Sequence, residues 1–233
     1  MLAKLAVPFI FVILLFVSLM MSAGYLLQGT AAEKENRVVE VLLCSAKPDE
    51  LLSGKLLGLG AAGSVQVTIW FGMVLVAGVT GVAALGLAGV EIPWLSLSLC
   101  LPFFGAGYLF LRSLMLGTGS LGSNIKESQQ FSIIWTLATL LPVAFLQVLL
   151  NDPHGTLGRV LTWIPFTSPL TVIFRTAVDA PGIAWWEIAG AFTVLLVGTW
   201  FAIRLGARLF RIGLLLTGTR PKLREILRQA RLP

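Results

Sequence analysis

His154 is the only histidine of the chain and stands in the stretch NDPHG, two residues after Asp152. Imidazole and carboxylate can bind metal or move protons. A metal site needs about three or four such groups, and one histidine beside one aspartate does not supply them. Ser113, Ser168 and Cys44 could serve as nucleophiles, but none has a convincing base nearby in sequence, so all three are read as structural. Cys44 lies in a polar segment and Cys100 in an apolar run, which argues against a disulfide between them. Gly54-Lys55 and Gly119-Ser120 lack the loop pattern that cradles phosphate, so ATP is not expected to bind this chain in that way. Acids within a membrane mark ion paths. Glu91 and Glu187 stand at the edges of apolar runs, where solvation is the plainer reading, and Asp152 and Asp179 fall in the loop before the last run. Covalent catalysis is therefore not expected, and no cofactor is expected in this chain.

These groups are embedded in a very apolar chain. Of 233 residues, 57% are hydrophobic and only 12% charged, with a mean hydropathy of +0.90. A soluble domain averages about 25% charged residues, so the composition points to an integral membrane protein. Apolar runs long enough to span a bilayer cover residues 5–27, 60–88, 93–116, 131–150 and 186–206. Lipid offers the backbone no partners, so each must be helical. The expected fold is an all-α, polytopic bundle of about five transmembrane helices. Pro8, Pro102 and Pro142 fall inside runs and should kink them. Lys4 and Ser22-Ala23-Gly24 faintly suggest a signal peptide, but the first run is longer than the roughly 7–15 residues of a signal core.

Residues 156–178 are apolar yet carry Arg159, Arg175, Pro165 and Pro169. Within the outer loop 151–185, this stretch is expected to be re-entrant or interfacial. A crossing there would also send the basic tail 207–233 to the opposite side. With residues 28–58, 117–130 and the chain after 203 in the cytoplasm, and Arg112 near the inner end of its run, fourteen of the seventeen Lys and Arg residues face inward. That bias predicts a multi-pass protein of the cell membrane, N-terminus out and C-terminus cytoplasmic.

The best-organised polar segment is EKENRVVEVLLCSAKPDELLSGKLLG, residues 33–58. Val38, Val39, Leu42 and Leu43 share one helical face, and Glu33 stands four residues before Arg37 in the favourable order. Pro48 suits a first helical position, with Asp49 and Glu50 in the first turn, where acids interact favourably with the helix dipole. The pattern predicts two short helices joined by a corner on the inner surface. It fits an amphipathic loop resting in the headgroups and a docking element for a cytoplasmic partner equally well.

This segment resembles the one found in ABC-2 type permeases, particularly their sodium-exporter-like branch. The matching residues are Glu33, Lys34, Glu35, Arg37, Glu40, Val41, Leu42 and Leu43, then Glu50, Leu51, Leu52, Gly54 and Lys55. The corner Cys44-Ser45-Ala46-Lys47-Pro48 departs from the commoner Ser-Pro. SNIKESQQ (123–130) is similar to the family's second cytoplasmic loop, and IPFTSPLTVIFR (164–175) to its outer-leaflet segment, with Pro165, Pro169 and Arg175 in the matching places. The resemblance implies the permease subunit of an ABC-type exporter. ATP would be held by a separate ATP-binding subunit, and a second permease subunit, identical or different, would complete the transporter. It also implies that Glu33, Glu35, Arg37, Glu40, Leu42, Leu43, Pro48, Glu50 and Lys55 form the coupling element against the ATPase. Relatives usually have a further span and an extracytoplasmic domain before the helix that corresponds to 5–27. A fragment, a split gene product or a misplaced start would account for that difference. A non-transporting membrane scaffold is the alternative expectation.

Ala77 and Gly81, and Gly58 and Ala62, have the small-residue spacing that lets helices approach closely. Trp94, Trp163, Trp185 and Trp186 fit an outer aromatic belt. The basic, amphipathic tail is expected to hold anionic membrane lipid rather than nucleic acid, since few aromatic residues accompany its cations.

Overall fold

Trp94–Gly119 forms one long helix, α1, apolar on nearly every face, and it continues through the internal Pro102. In the computed structural model the described residues are 94–122, 125–179 and 182–215, with scattered helical positions between 13 and 76. The spans expected at 5–27 and 60–88, Glu91, and the tail beyond 215 lie wholly or largely outside them. After α1 come α2 (Ile125–Thr139), α3 (Leu141–Ala144), α4 (Leu146–Asn151), α5 (Thr156–Trp163), α6 (Ser168–Val178) and α7 (Trp185–Leu215). All regular structure among the described residues is helical. Among the described residues, two helices are long and apolar enough to cross a membrane, Ser98–Gly119 and Trp185–Gly213.

The run 131–150 is not continuous. Leu140 closes α2 through its N–H to the Thr136 carbonyl, and Pro142 opens α3. Proline has no N–H to give, and the first turn of a helix requires none. Phe145, at φ −100°, then separates α3 from α4. Residues 156–178 form two short helices joined by a turn at 164–167. With eight and eleven residues, neither reaches the roughly 20 residues of a crossing. Every residue of α6 from Ser168 to Ala177 is buried. It lies against α1, α4, α5 and α7.

Among the described residues, the most extensive helix pairing is that of α1 with α7. In lipid there is little hydrophobic drive between two apolar helices, so close packing and hydrogen bonds must hold them. Small residues provide the approach. A methyl group on Gly117 would stand 2.6 Å from Gly206 Cα. One on Gly206 would strike the Ser113 carbonyl, and one on Gly213 the Ser120 carbonyl. Ser113 and Gly117 share a face of α1, with Ser120 just past its end, and Gly206 and Gly213 share a face of α7. Hydrogen bonds cross the same seam: Ser120 Oγ reaches the Leu209 carbonyl at 3.2 Å, and Thr199 Oγ1 the Ala106 carbonyl at 3.3 Å. Outside the seam, α7 carries exposed Leu196, Val197, Trp200 and Phe201. A continuous apolar surface of this kind suits contact with lipid.

Candidate functional site

The α5–α6 hairpin is fastened to α7 by Arg175. This arginine stands in the last turn of α6 and Glu187 in the first turn of α7. Each charge therefore sits where the helix dipole favours it. Arg175 Nη1 donates to Glu187 Oε1 at 2.5 Å, and Nη2 approaches Oε2 at 3.4 Å. Nε donates to the Pro153 carbonyl at 2.6 Å, and Nη1 also reaches Thr162 Oγ1 at 2.7 Å. The Thr162 hydroxyl in turn donates a hydrogen bond to the Gly158 carbonyl at 2.7 Å. Arg175 is 1% exposed and Glu187 7%. One planar guanidinium thus joins α5, α6, α7 and the loop before α5, a task suited to its rigid fork of donors.

Local sequence explains how the hairpin fits. Gly158 leaves room for the arginine: a Cβ there would stand 3.4 Å from Arg175 Cδ and 3.0 Å from the Pro153 carbonyl. Pro169 begins α6 and presses on α1, where a Cβ on Gly107 would lie 2.6 Å from Pro169 Cγ. Pro165, in the turn, packs on Gly198 of α7. Pro165, Pro169 and Arg175 therefore all belong to one wedge between α1 and α7. Thr167 secures the turn by donating to the Leu161 carbonyl at 2.7 Å.

Beside the clamp lies a second polar pair. His154 Nε2 and Asp179 Oδ2 are 2.9 Å apart, with side chains 33% and 47% exposed. The hydrogen bond from His154 holds the Asp179 carboxyl below its ordinary range. Gly182 covers the pair, since any Cβ there would collide with the imidazole. Among the described residues, no group of three or more His, Cys, Asp or Glu could hold a metal ion. Trp163, resting on Gly190, and the exposed Trp185 and Trp186 surround this end of the bundle.

The sequence reading missed Glu187, which is buried and paired rather than solvated. Its edge position is the reason: an acid in the first turn of a span looks solvated until a cation is folded onto it. The usable signal was Arg175 at the end of one helix and Glu187 at the start of the next. Of the residues assigned to coupling, Glu50 alone is described. It is helical and exposed, and its carbonyl accepts from Ser53 Oγ at 3.0 Å. Glu33, Glu35, Arg37, Glu40, Leu42, Leu43, Pro48 and Lys55 lie outside the described residues.

A family model described as ABC-2 family transporter protein matches residues 3–208. The chain belongs to the ABC-2 transporter family. It is similar to the uncharacterized protein MJ1024 of Methanocaldococcus jannaschii, 30% identical over 209 residues, which cover 90% of this chain and 50% of that protein. It is also similar to the uncharacterized protein YhaP of Bacillus subtilis, 26% identical over 231 residues, covering 96% of this chain and 55% of the relative. The chain spans about half the length of these curated relatives. No solved structure matches it. Membership of the ABC-2 transporter family, with helices apolar enough to cross a bilayer, makes this a membrane protein.

Proposed function

We propose that the chain is the permease subunit of an ATP-driven exporter. ATP would be hydrolysed by a separate ATP-binding subunit, and a second permease subunit would complete the substrate path. The observation that carries this reading is the family match along residues 3–208. The protein would lie in the cell membrane with its N-terminus outside and C-terminus in the cytoplasm, an orientation supported by the cation bias of its loops. The segment 28–58 then faces the ATPase, with Glu33, Glu35, Arg37, Glu40, Leu42, Leu43, Pro48, Glu50 and Lys55 as the coupling residues.

In that orientation the Arg175–Glu187 clamp lies at the outer end. It would act as a brace that keeps the α5–α6 wedge on α1 and α7, so that movement begun at the cytoplasmic segment reaches the outer end of the path. The test is co-expression with an ATP-binding-cassette ATPase encoded by a neighbouring gene. The ATPase should co-purify, and inside-out vesicles should show ATP-dependent sodium uptake when read with a sodium-sensitive dye, the first cargo to try. Neither complex nor ATP-driven flux would overturn the reading. A stable complex that drives no flux of any cargo would identify a scaffold instead.

A further inference from the structure

We propose that the groove between α1 and α7 is a binding site for an anionic phospholipid, with an acyl chain in the groove and the phosphate on Arg204 and Arg208. The groove encloses about 560 Å³, within the range of about 300–1,000 Å³ typical of small-molecule sites. Phe110 of α1, Trp135 of α2, Phe166 of the hairpin turn and Phe201 of α7 line it, together with the two arginines. An apolar slot with cationic groups on one wall fits an amphiphile better than a free ion or a neutral hydrocarbon.

The arginines are placed to act together. They stand four residues apart on α7, one turn above the other on a single face. Arg204 is also held by its neighbour, with its guanidinium 3.7 Å from the centroid of the Trp200 ring. Stacking of this kind orients a guanidinium while leaving its N–H edge open to a phosphate. No ion pair with a carboxylate is found for either arginine among the described residues. Ordinary snorkelling to the headgroups would place such cations on a convex helix face. Here they share a concavity with α1 and α2. Its α7 wall is also open at the side, with lining Phe201 60% and Leu205 49% exposed. A ligand dissolved in the bilayer could therefore enter sideways without crossing water.

The site requires only that α7 contact the bilayer. Its test uses neither ATP nor a partner, so it can fail while the permease reading stands, and the reverse. The full chain, purified in detergent, is analysed by native mass spectrometry with phosphatidylglycerol or phosphatidylcholine added. At least tenfold preferential retention of phosphatidylglycerol is expected. Arg204→Gln combined with Arg208→Gln should abolish the preference, whereas Leu205→Trp, which narrows the groove from its exposed rim, should reduce retention of both lipids. A phosphatidylglycerol carrying a diazirine in its acyl chain should label peptides containing Trp135 and Phe201. Equal retention of the two lipids by the unaltered chain would overturn the proposal. So would a preference that survives the double substitution, or displacement of the lipid by inorganic phosphate alone. Phe201→Cys provides a further check: cross-linking to a second copy, or to another segment of the same chain, with no lipid labelling would mean that protein fills the groove.

Discussion

Arg175 and Glu187 are twelve residues apart in sequence and 2.5 Å apart in space, the first closing α6 and the second opening α7. The pair gathers Thr162 and the Pro153 carbonyl into the same buried cluster. Withdrawing two charges from water is costly, so the value of such a pair is best measured by breaking it one partner at a time. Arg175→Ala strands a buried carboxylate and is expected to destabilise the protein by about 3–5 kcal/mol. Replacing both partners with apolar residues of similar volume, Arg175→Met with Glu187→Leu, should recover most of that loss. Thermal unfolding in detergent measures both. An Arg175→Ala protein as stable as its parent would remove the clamp from consideration.

The α1–α7 seam predicts a sharp contrast between two glycines. Gly206→Ala drives a methyl group into the Ser113 carbonyl, backbone against backbone, where neither can swing aside. A loss of about 1–3 kcal/mol is expected, as for other overpacked sites. Gly105 lies on α1 with nothing within 4 Å of its would-be Cβ. Gly105→Ala should be neutral or slightly stabilising, since alanine favours helix. Folded yield and melting temperature of the two variants decide the matter, and equal behaviour would contradict the seam.

The His154–Asp179 pair predicts a pH dependence. The carboxyl is held below its ordinary range, mainly by the hydrogen bond from His154. A group depressed on folding adds stability above its unfolded value, about 3.9 for aspartate, and loses it as pH falls through the lower folded value. Compared with His154→Ala, the unaltered protein should melt at a higher temperature above about pH 4. The gap should close on further acidification. The effect will be small, because both side chains are partly exposed and water screens the pair. A difference in melting temperature that stays constant from neutral pH down to about pH 2 would rule out this linkage.

Coupling to an ATPase is probed through Glu35→Ala with Arg37→Ala. Removing the two charges should lower recovery of the ATP-binding subunit at least tenfold, equivalent to about 1.4 kcal/mol of binding. Membrane insertion should be unaffected, because neither residue belongs to an apolar run. Full partner binding and full transport by this variant would count against a coupling role for the segment.

The sequence by itself determined the membrane class, the helical content and the family. Each is written in local quantities: apolar run length, scarcity of charge, and the motif at residues 33–58. It also marked Pro142 as a point of disturbance, though whether the helix would kink or divide depended on how Leu140 and Phe145 were held. Only the tertiary structure decided that Glu187 is a buried partner of Arg175, that Ser113, Gly117 and Gly206 form a close contact between α1 and α7, and that Arg204 and Arg208 share a groove with Trp135. Helical periodicity tells which residues share a face, but not which face meets another helix or at what register. Those relations were set by the turn at 164–167, by the Arg175–Glu187 pair, and by the few positions where a missing side chain lets two backbones touch.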